Sequence, residues 1–408
     1  MSSGPRFLLA ARQCEIAELE QLASTADLLA LVGRFIHALQ RERGLSNIFI
    51  SSHGSRCAGQ RIEQVAECQR LEDRVRTRFE DLRTDSGRVR NGARLFSRIA
   101  LLVHGLDDLP HLRQRIGAQA ITAVDATTDF SQLVAGLLAV VFEAADTASD
   151  PQVSRALLAM FNFMQGKEFA GQERALGSRL FAAGRIEADD RQQWQHLLDS
   201  QQACFQTFAD FCGPQPAGPH PGGDDPGVLA EVERLRRVAL GGRACSLQPH
   251  LLEPWYDACT RRLDAMREVE ERLALHLGEL CGQRIAQARA ELRDQSAMLE
   301  SLAAQARAAG ATGAAPYGPQ LERSVLEMVQ EQSQRLQAMG DELDSLRSTL
   351  HERKVVERAK GVLMAHRQMT EGEAYKALRQ LAMNQNRRLV EVAQNLLSVA
   401  EVLPGSSR

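Results

Sequence analysis

Apolar residues recur at three- and four-residue spacing over most of this chain, and stretches that alternate in the manner of strands are almost absent. That periodicity predicts an all-α protein. Residues 15–53 read as one or two helices carrying Ile16, Leu19, Leu22, Leu28, Leu31, Phe35 and Leu39 toward a core. Helices follow over 58–84, over 88–106 ending near Pro110, and over 112–147, a set that suits a four-helix bundle. The pattern restarts at Asp150-Pro151, a capping aspartate followed by a first-turn proline. Helices over 150–182, 187–212, 228–240 and 253–308 make a second set of four, interrupted by the Gly/Pro-rich loop 213–227.

A second breaker, Gly310 to Pro319, precedes a change of period. Val329, Leu336, Leu343 and Leu350 fall on one heptad position and Val325, Met339 and Leu346 on the other, with Gln332 interrupting. This is the pattern of a short coiled coil that joins two copies, or of one amphipathic helix packed within the monomer. Residues 350–402 divide into three helices. The second opens on Thr370 with Glu373 three residues on, a capping box, and carries Ala374, Tyr375, Leu378, Leu381 and Ala382 inward. The third carries Leu389, Val392, Ala393, Leu396 and Leu397. Gly361 lies inside the first, where glycine costs about 1 kcal/mol against alanine; tight packing is the expected reason, a ligand contact the other. The organisation is therefore a helical region over 1–309 (bundles at roughly 15–147 and 150–309), a linker and coiled-coil helix over 310–340, and a compact end over 341–402.

Composition narrows the chemistry. The 408 residues carry a formal charge of −3, so a nucleic-acid site has to be a local patch. Between Arg353 and Gln394 there is one: nine bases stand against four acids. The eight cysteines form no C-x-x-C pair and read as free thiols in a reducing compartment. No apolar run approaches the roughly 18 residues that span a bilayer, and the first residues lack a signal-peptide core, so a cytoplasmic protein without membrane contact is expected. Phosphate loops, H-E-x-x-H and G-x-S-x-G are missing, so neither an enzyme nor a bound metal or cofactor is expected.

The run ERAKGVLMAHRQMTEGEAYKALRQLAMNQNRRLVEVAQNLL closely resembles the ANTAR family of RNA-binding antiterminators, without a gap. The resemblance implies binding to leader mRNA with paired hairpins, which prevents a terminator from forming. Lys360, Arg379, Asn384, Arg387 and Arg388 are the candidate RNA contacts; the alternative for each is a solvated surface.

A regulator needs an input, and one arginine setting occurs twice. Leu39–Ile50 and Gly171–Phe181, aligned on Glu42-Arg43 and Glu173-Arg174, both read E-R-small-Leu-small within otherwise apolar helices. Arginine among core positions is costly unless paired. Either each bundle buries a Glu–Arg ion pair, or the arginines meet an anion between the bundles, for which a planar guanidinium is suited. RERGLSN and KEFAGQERA resemble the NIT family of nitrate- and nitrite-sensing domains, built from two four-helix bundles. That resemblance implies nitrate or nitrite held by Arg43, Arg174 and a third arginine from VERLRRVAL. Arg236 is chosen over Arg237 because it shares a helical face with Leu229, Val232 and Leu240. The expected function is a one-component antiterminator of nitrate assimilation genes, dimeric through its coiled coil. Two alternatives stay open: an ANTAR regulator answering another small oxyanion or a partner protein, and a helical scaffold without RNA function.

Overall fold

A computed structural model describes residues 3–82, 92–212, 226–241, 246–311, 318–367, 369 and 371–402. Twelve α-helices account for nearly all of them, and the one β-bridge, Arg185 to Ser246, is isolated. The chain falls into two compact units, Met1–Gln337 and Ala338–Arg408, with the boundary inside a long helix.

In the first unit α1 (Ser3–Ser51) is one continuous helix. All seven residues assigned to its core from spacing are buried. It ends where His53 and Gly54 adopt positive φ and the Gly54 N–H donates to the Phe49 carbonyl at 2.8 Å. α2 (Ala58–Glu80) packs back on α1.

The next region departs from the sequence reading. α3 (Gly92–Asp107) ends near Pro110 as expected, but Pro110 lies in the first turn of a further short helix, α4 (Leu109–Gly117). The single helix expected over 112–147 is broken. Gln119 takes a positive φ after Gly117, and Thr122 caps α5 (Ala123–Thr147) by accepting from the Asp125 N–H at 3.1 Å. The apolar spacing runs on through the break, from Ile116 to Ile121, both buried, which is why periodicity alone does not reveal it.

α6 (Pro151–Ala183) starts as expected, the Asp150 carboxylate accepting from the N–H groups of Gln152 and Val153. It is buried nearly all round, packed by α7 (Ala188–Cys212), α9 (Leu252–Ala311) and α5. α8 (Pro226–Gly241) packs on α9. A short 3-10 turn, Pro249–Leu251, leads into α9. The core here is aromatic: the Trp194 and Trp255 ring centroids lie 5.1 Å apart, with Phe181 against both. α9 also packs along α1, so it touches both sets of helices.

α10 (Gly318–Arg367) crosses the boundary between the units. Of its heptad positions, Val329 and Leu336 are exposed and Leu343 and Leu346 buried; Val325 and Leu350 fall outside the described side chains.

The second unit closes α10 with α11 (Glu371–Gln385) and α12 (Leu389–Val402) around Val355, Ala359, Leu363, Ala374, Leu378, Ala382, Val392 and Ala393. Two expectations need correction. Leu381 is 39% exposed rather than inward. A Cβ at Gly361 would meet nothing within 4 Å, so helix packing does not explain that glycine. The capping box rests on Thr370 and the Glu373 side chain, both outside the described residues.

Among the described residues, α1 and α5 each contain a stretch long and apolar enough to cross a membrane. Those stretches are 67% and 56% buried within the protein, as core helices are. Among the described residues the cysteines are free thiols, and no cluster of His, Cys, Asp or Glu is arranged to hold a metal ion.

Candidate functional site

The repeated E-R dipeptide brings α1 and α6 into contact. Consecutive residues on a helix point about 100° apart, so each Glu and its neighbouring Arg serve different neighbours. Glu42 accepts two hydrogen bonds from Arg113 on α4, both 2.9 Å. Glu173 accepts two from Arg236 on α8, both 2.6 Å, and is further held by the Trp194 indole N–H and Gln201. Burial works to raise the Glu173 carboxyl, but Arg236, Arg262 and Gln201 outweigh it and hold it below the usual range. Each glutamate thus pairs with an arginine of its own set of helices, and that arginine is not its chain neighbour.

The arginines of the dipeptides reach across. Arg43 and Arg174 are 1% and 2% exposed. Their approach depends on glycine in a reciprocal way. A Cβ on Gly171 would lie 2.7 Å from Arg43 Nη2, and one on Gly44 would lie 2.8 Å from Arg174 Nη2. Each guanidinium therefore lies on the other helix's glycine, where no side chain fits.

Their partners differ. Arg43 makes a forked pair with Glu168 on α6, Nη1 to Oε1 at 2.6 Å and Nη2 to Oε2 at 3.2 Å, and Nη1 also donates to the Ser131 hydroxyl on α5. Gln40 Nε2 and Gln172 Nε2 donate to the same carboxylate at 2.8 and 3.0 Å. Arg174 has no such carboxylate. It donates to the Gln40 carbonyl at 2.8 Å and the Thr260 hydroxyl at 3.0 Å, and stacks over Tyr256 with 5.1 Å to the ring centroid. Arg43 thus holds the Glu168 carboxylate, whereas Arg174 is bonded to neutral oxygens and interacts with the Asp264 carboxylate only through its charge.

The interface continues one turn away. Lys167, fully buried, donates to Glu270 on α9 at 2.5 Å. His37 Nε2 lies 3.4 Å from Asp264 Oδ1. Burial and the Lys167 charge push the His37 imidazole down to about 3, so it is neutral at physiological pH.

Of the three arginines singled out from sequence, the structure brings Arg43 and Arg174 together at this crossing. Arg236 does point inward while Arg237 is exposed, but its hydrogen bonds go to Glu173, Glu233 and Gln201. Spacing did not single out Glu168, Gln40, Thr260 or Tyr256. The first was in view in KEFAGQERA, but its partner lies 125 residues earlier in the chain.

In the second unit Arg379, Asn384, Arg387 and Arg388 are exposed at and around the α11–α12 turn. The turn is set by Asn386, which adopts φ 49°, a left-handed value asparagine tolerates. Arg388 is partnered by Glu352 at 3.0 Å, both well exposed. Lys360 differs: it is 5% exposed, beside Ala359 in the small core, and so is not presented to solvent as the other four are.

Residues 34–278 match the NIT family, described as nitrate and nitrite sensing, and residues 344–397 match the ANTAR domain. The chain belongs to the NIT family, with an ANTAR domain at its C-terminal end. It is similar to the nitrate regulatory protein of Klebsiella oxytoca, 36% identical over 398 residues that cover 95% of this chain and 93% of that protein. It is also similar to a solved structure of the NasR transcription antiterminator, with 33% identity and a TM-score of 0.60 over 98% of this chain and 99% of the other.

Proposed function

We infer that this protein is a one-component regulator in which nitrate or nitrite, bound at the α1–α6 crossing, controls transcription antitermination by the ANTAR domain. The observation that carries the anion reading is Arg174. It is a buried guanidinium with no carboxylate in direct ion-pair contact among the described residues, the Asp264 carboxylate acting on it only through its charge, beside a second arginine. A buried charge left uncompensated is costly, and a small planar oxyanion would offset it with forked hydrogen bonds. Arg43 and Arg174 are the proposed ligands. Arg236 joins them only by exchanging Glu173 for the anion.

At the output end, Arg379, Asn384, Arg387 and Arg388 form the proposed RNA surface, and Lys360 contributes only where RNA binding uncovers it. The target is a leader mRNA with paired hairpins, bound in the cytoplasm. Leu326, Val329 and Leu336, exposed on α10 at spacings of three and seven, supply a seam for a second copy. The anion needs only to bind one state of the sensor more tightly than another to shift the output.

Isothermal titration of the full chain with nitrate should show binding that Arg43→Ala or Arg174→Ala abolishes. Unchanged binding in both variants would overturn the assignment. A second reading, another small oxyanion as signal, draws on the same arginine pair. A thermal-shift series with nitrate, nitrite, chlorate, sulfate and phosphate separates the two. RNA binding is read by gel shift with the leader of the protein's own operon; no binding with or without nitrate would favour a scaffold.

A further inference from the structure

The geometry points to Glu168 as a built-in competitor for the anion: its carboxylate occupies the fork of Arg43 that nitrate or nitrite needs, and ligand binding displaces it. This inference rests on the anion reading above and adds what sets the affinity and selectivity of that site.

The hydrogen-bond inventory of Arg43 leaves little room for both occupants. Each Nη carries two N–H groups. Nη1 spends both, on Glu168 and on the Ser131 hydroxyl. Nη2 spends one on Glu168, and its outer side lies against the backbone at Gly171, where even a Cβ would come within 2.7 Å. The Nε–Nη2 edge is closed on its Nη2 side by Gly171, so an anion that takes a two-pronged hold on Arg43 takes the Nη1–Nη2 fork and the place of Glu168. A carboxylate and a nitrate or nitrite offer the guanidinium the same thing: one negative charge and two coplanar oxygens on an edge. The exchange is neutral in charge at Arg43, and the displaced carboxylate keeps the hydrogen bond from Gln172 on its own helix.

Competition of this kind lowers the apparent affinity by the fraction of time the fork is open. It also selects. A divalent or tetrahedral anion matches neither the charge nor the planar edge that Glu168 has fitted to the site. Displacement further releases the bond from Gln40, so α1 and α6 lose their direct tie through Glu168 and are joined through the ligand instead.

The test is nitrate titration of the full-length chain carrying Glu168→Gln, Glu168→Asp or Arg43→Ala, with helix content and melting temperature recorded for each. Glu168→Gln should tighten nitrate binding by about 10- to 100-fold, the range that loss of a charge-assisted pair represents, and nitrate should raise its melting temperature more than that of the parent. Glu168→Asp keeps the charge but is one methylene too short to hold Arg43, so it should also bind more tightly, by a smaller factor. Gln tighter and Asp unchanged would mean plain charge repulsion without displacement, and would overturn the proposal. Binding equal to or weaker than the parent in Glu168→Gln would do the same. If the Gln variant does not fold, the Asp variant decides alone, and parental affinity in it counts against the competitor. Intact nitrate binding in Arg43→Ala would overturn the competitor, and intact binding in Arg174→Ala as well would bring down the underlying anion reading.

Discussion

Gly177 stands one helical turn beyond Arg174 on α6, and its replacement by alanine tests how tightly α6 and α9 are joined beside the arginine pair. A Cβ there would sit 2.4 Å from both Cε2 and Nε1 of Trp255 and 2.7 Å from Cζ2. Ordinary carbon contacts are about 3.5–4.0 Å, so the indole would have to retreat by roughly 1 Å. It has nowhere to go: Trp255 is fully buried against Trp194 and Phe181, and its N–H donates to the Arg174 carbonyl at 3.1 Å. Overpacking of this kind costs about 1–3 kcal/mol, and straining the indole hydrogen bond costs about 0.5–1.5 kcal/mol more. The better helix propensity of alanine returns about 1 kcal/mol. The net is about 1–3 kcal/mol of destabilisation. Gly278 on the exposed side of α9 is the control, because a Cβ there meets nothing within 4 Å; its alanine variant should gain about 0.5–1 kcal/mol. The only two tryptophans in the chain, Trp194 and Trp255, both lie at this spot. Urea unfolding followed by tryptophan fluorescence therefore reports the first unit without interference from the second. A Gly177→Ala midpoint equal to or above the parent's would refute the close approach.

Gly171→Ala and Gly44→Ala should each weaken nitrate binding by at least about tenfold, by lifting a guanidinium off the other helix, while far-ultraviolet circular dichroism stays unchanged. His37 gives a pH dependence whose sign is fixed. Its folded value near 3 lies below the unfolded value near 6.5, so the unfolded chain binds the extra proton and stability falls as pH drops from about 6.5 toward 3. Urea midpoints of His37→Gln should fall less steeply over that window, by up to about 1.4 kcal/mol per pH unit; equal slopes would show that His37 charges freely. On the RNA side, Arg379→Ala and Arg387→Ala should each reduce the slope of log affinity against log salt by about one unit, whereas Lys360→Ala, at a buried position, should first lower the melting temperature.

How much of this the sequence discloses depends on the range of the interaction. The helices and the core face of α1 follow from three- and four-residue spacing, which is local. The Asp150 cap follows too, because its donors are two and three residues away. The break at Gly117–Thr122 does not, since Ile116 and Ile121 keep the apolar pattern alive while Gln119 turns the backbone. Gly361 misleads for the opposite reason: a mid-helix glycine implies close packing, and the structure leaves open space there. At the crossing, spacing marks Arg43 and Arg174 as unusual but cannot supply their partners. The choice between an ion pair within each bundle and an anion site was open in the sequence because the pairing is neither simple case. Glu42 and Glu173 are paired with Arg113 and Arg236, and Arg43 with Glu168.

That division gives the E-R dipeptide a mechanical meaning. Each glutamate is clamped by a forked arginine inside its own set of helices, so neither α1 nor α6 can turn about its axis without breaking a buried ion pair, a change that costs several kcal/mol. The adjacent arginine is the part free to exchange partners. On the proposed anion reading, a ligand that alters the Arg43–Glu168–Gln40–Arg174 contacts would not be absorbed by rotation of one helix and would shift whole sets of helices against each other. α9 is placed to follow such a shift. Within its first third, Trp255 and Thr260 contact Arg174, Arg262 lies 3.7 Å from Glu173, Asp264 faces His37 and Glu270 holds Lys167. One 60-residue helix thus contacts the second dipeptide directly and polar groups that flank both. A displacement of α1 against α6 has to be taken up along α9, the helix that precedes α10 in the chain.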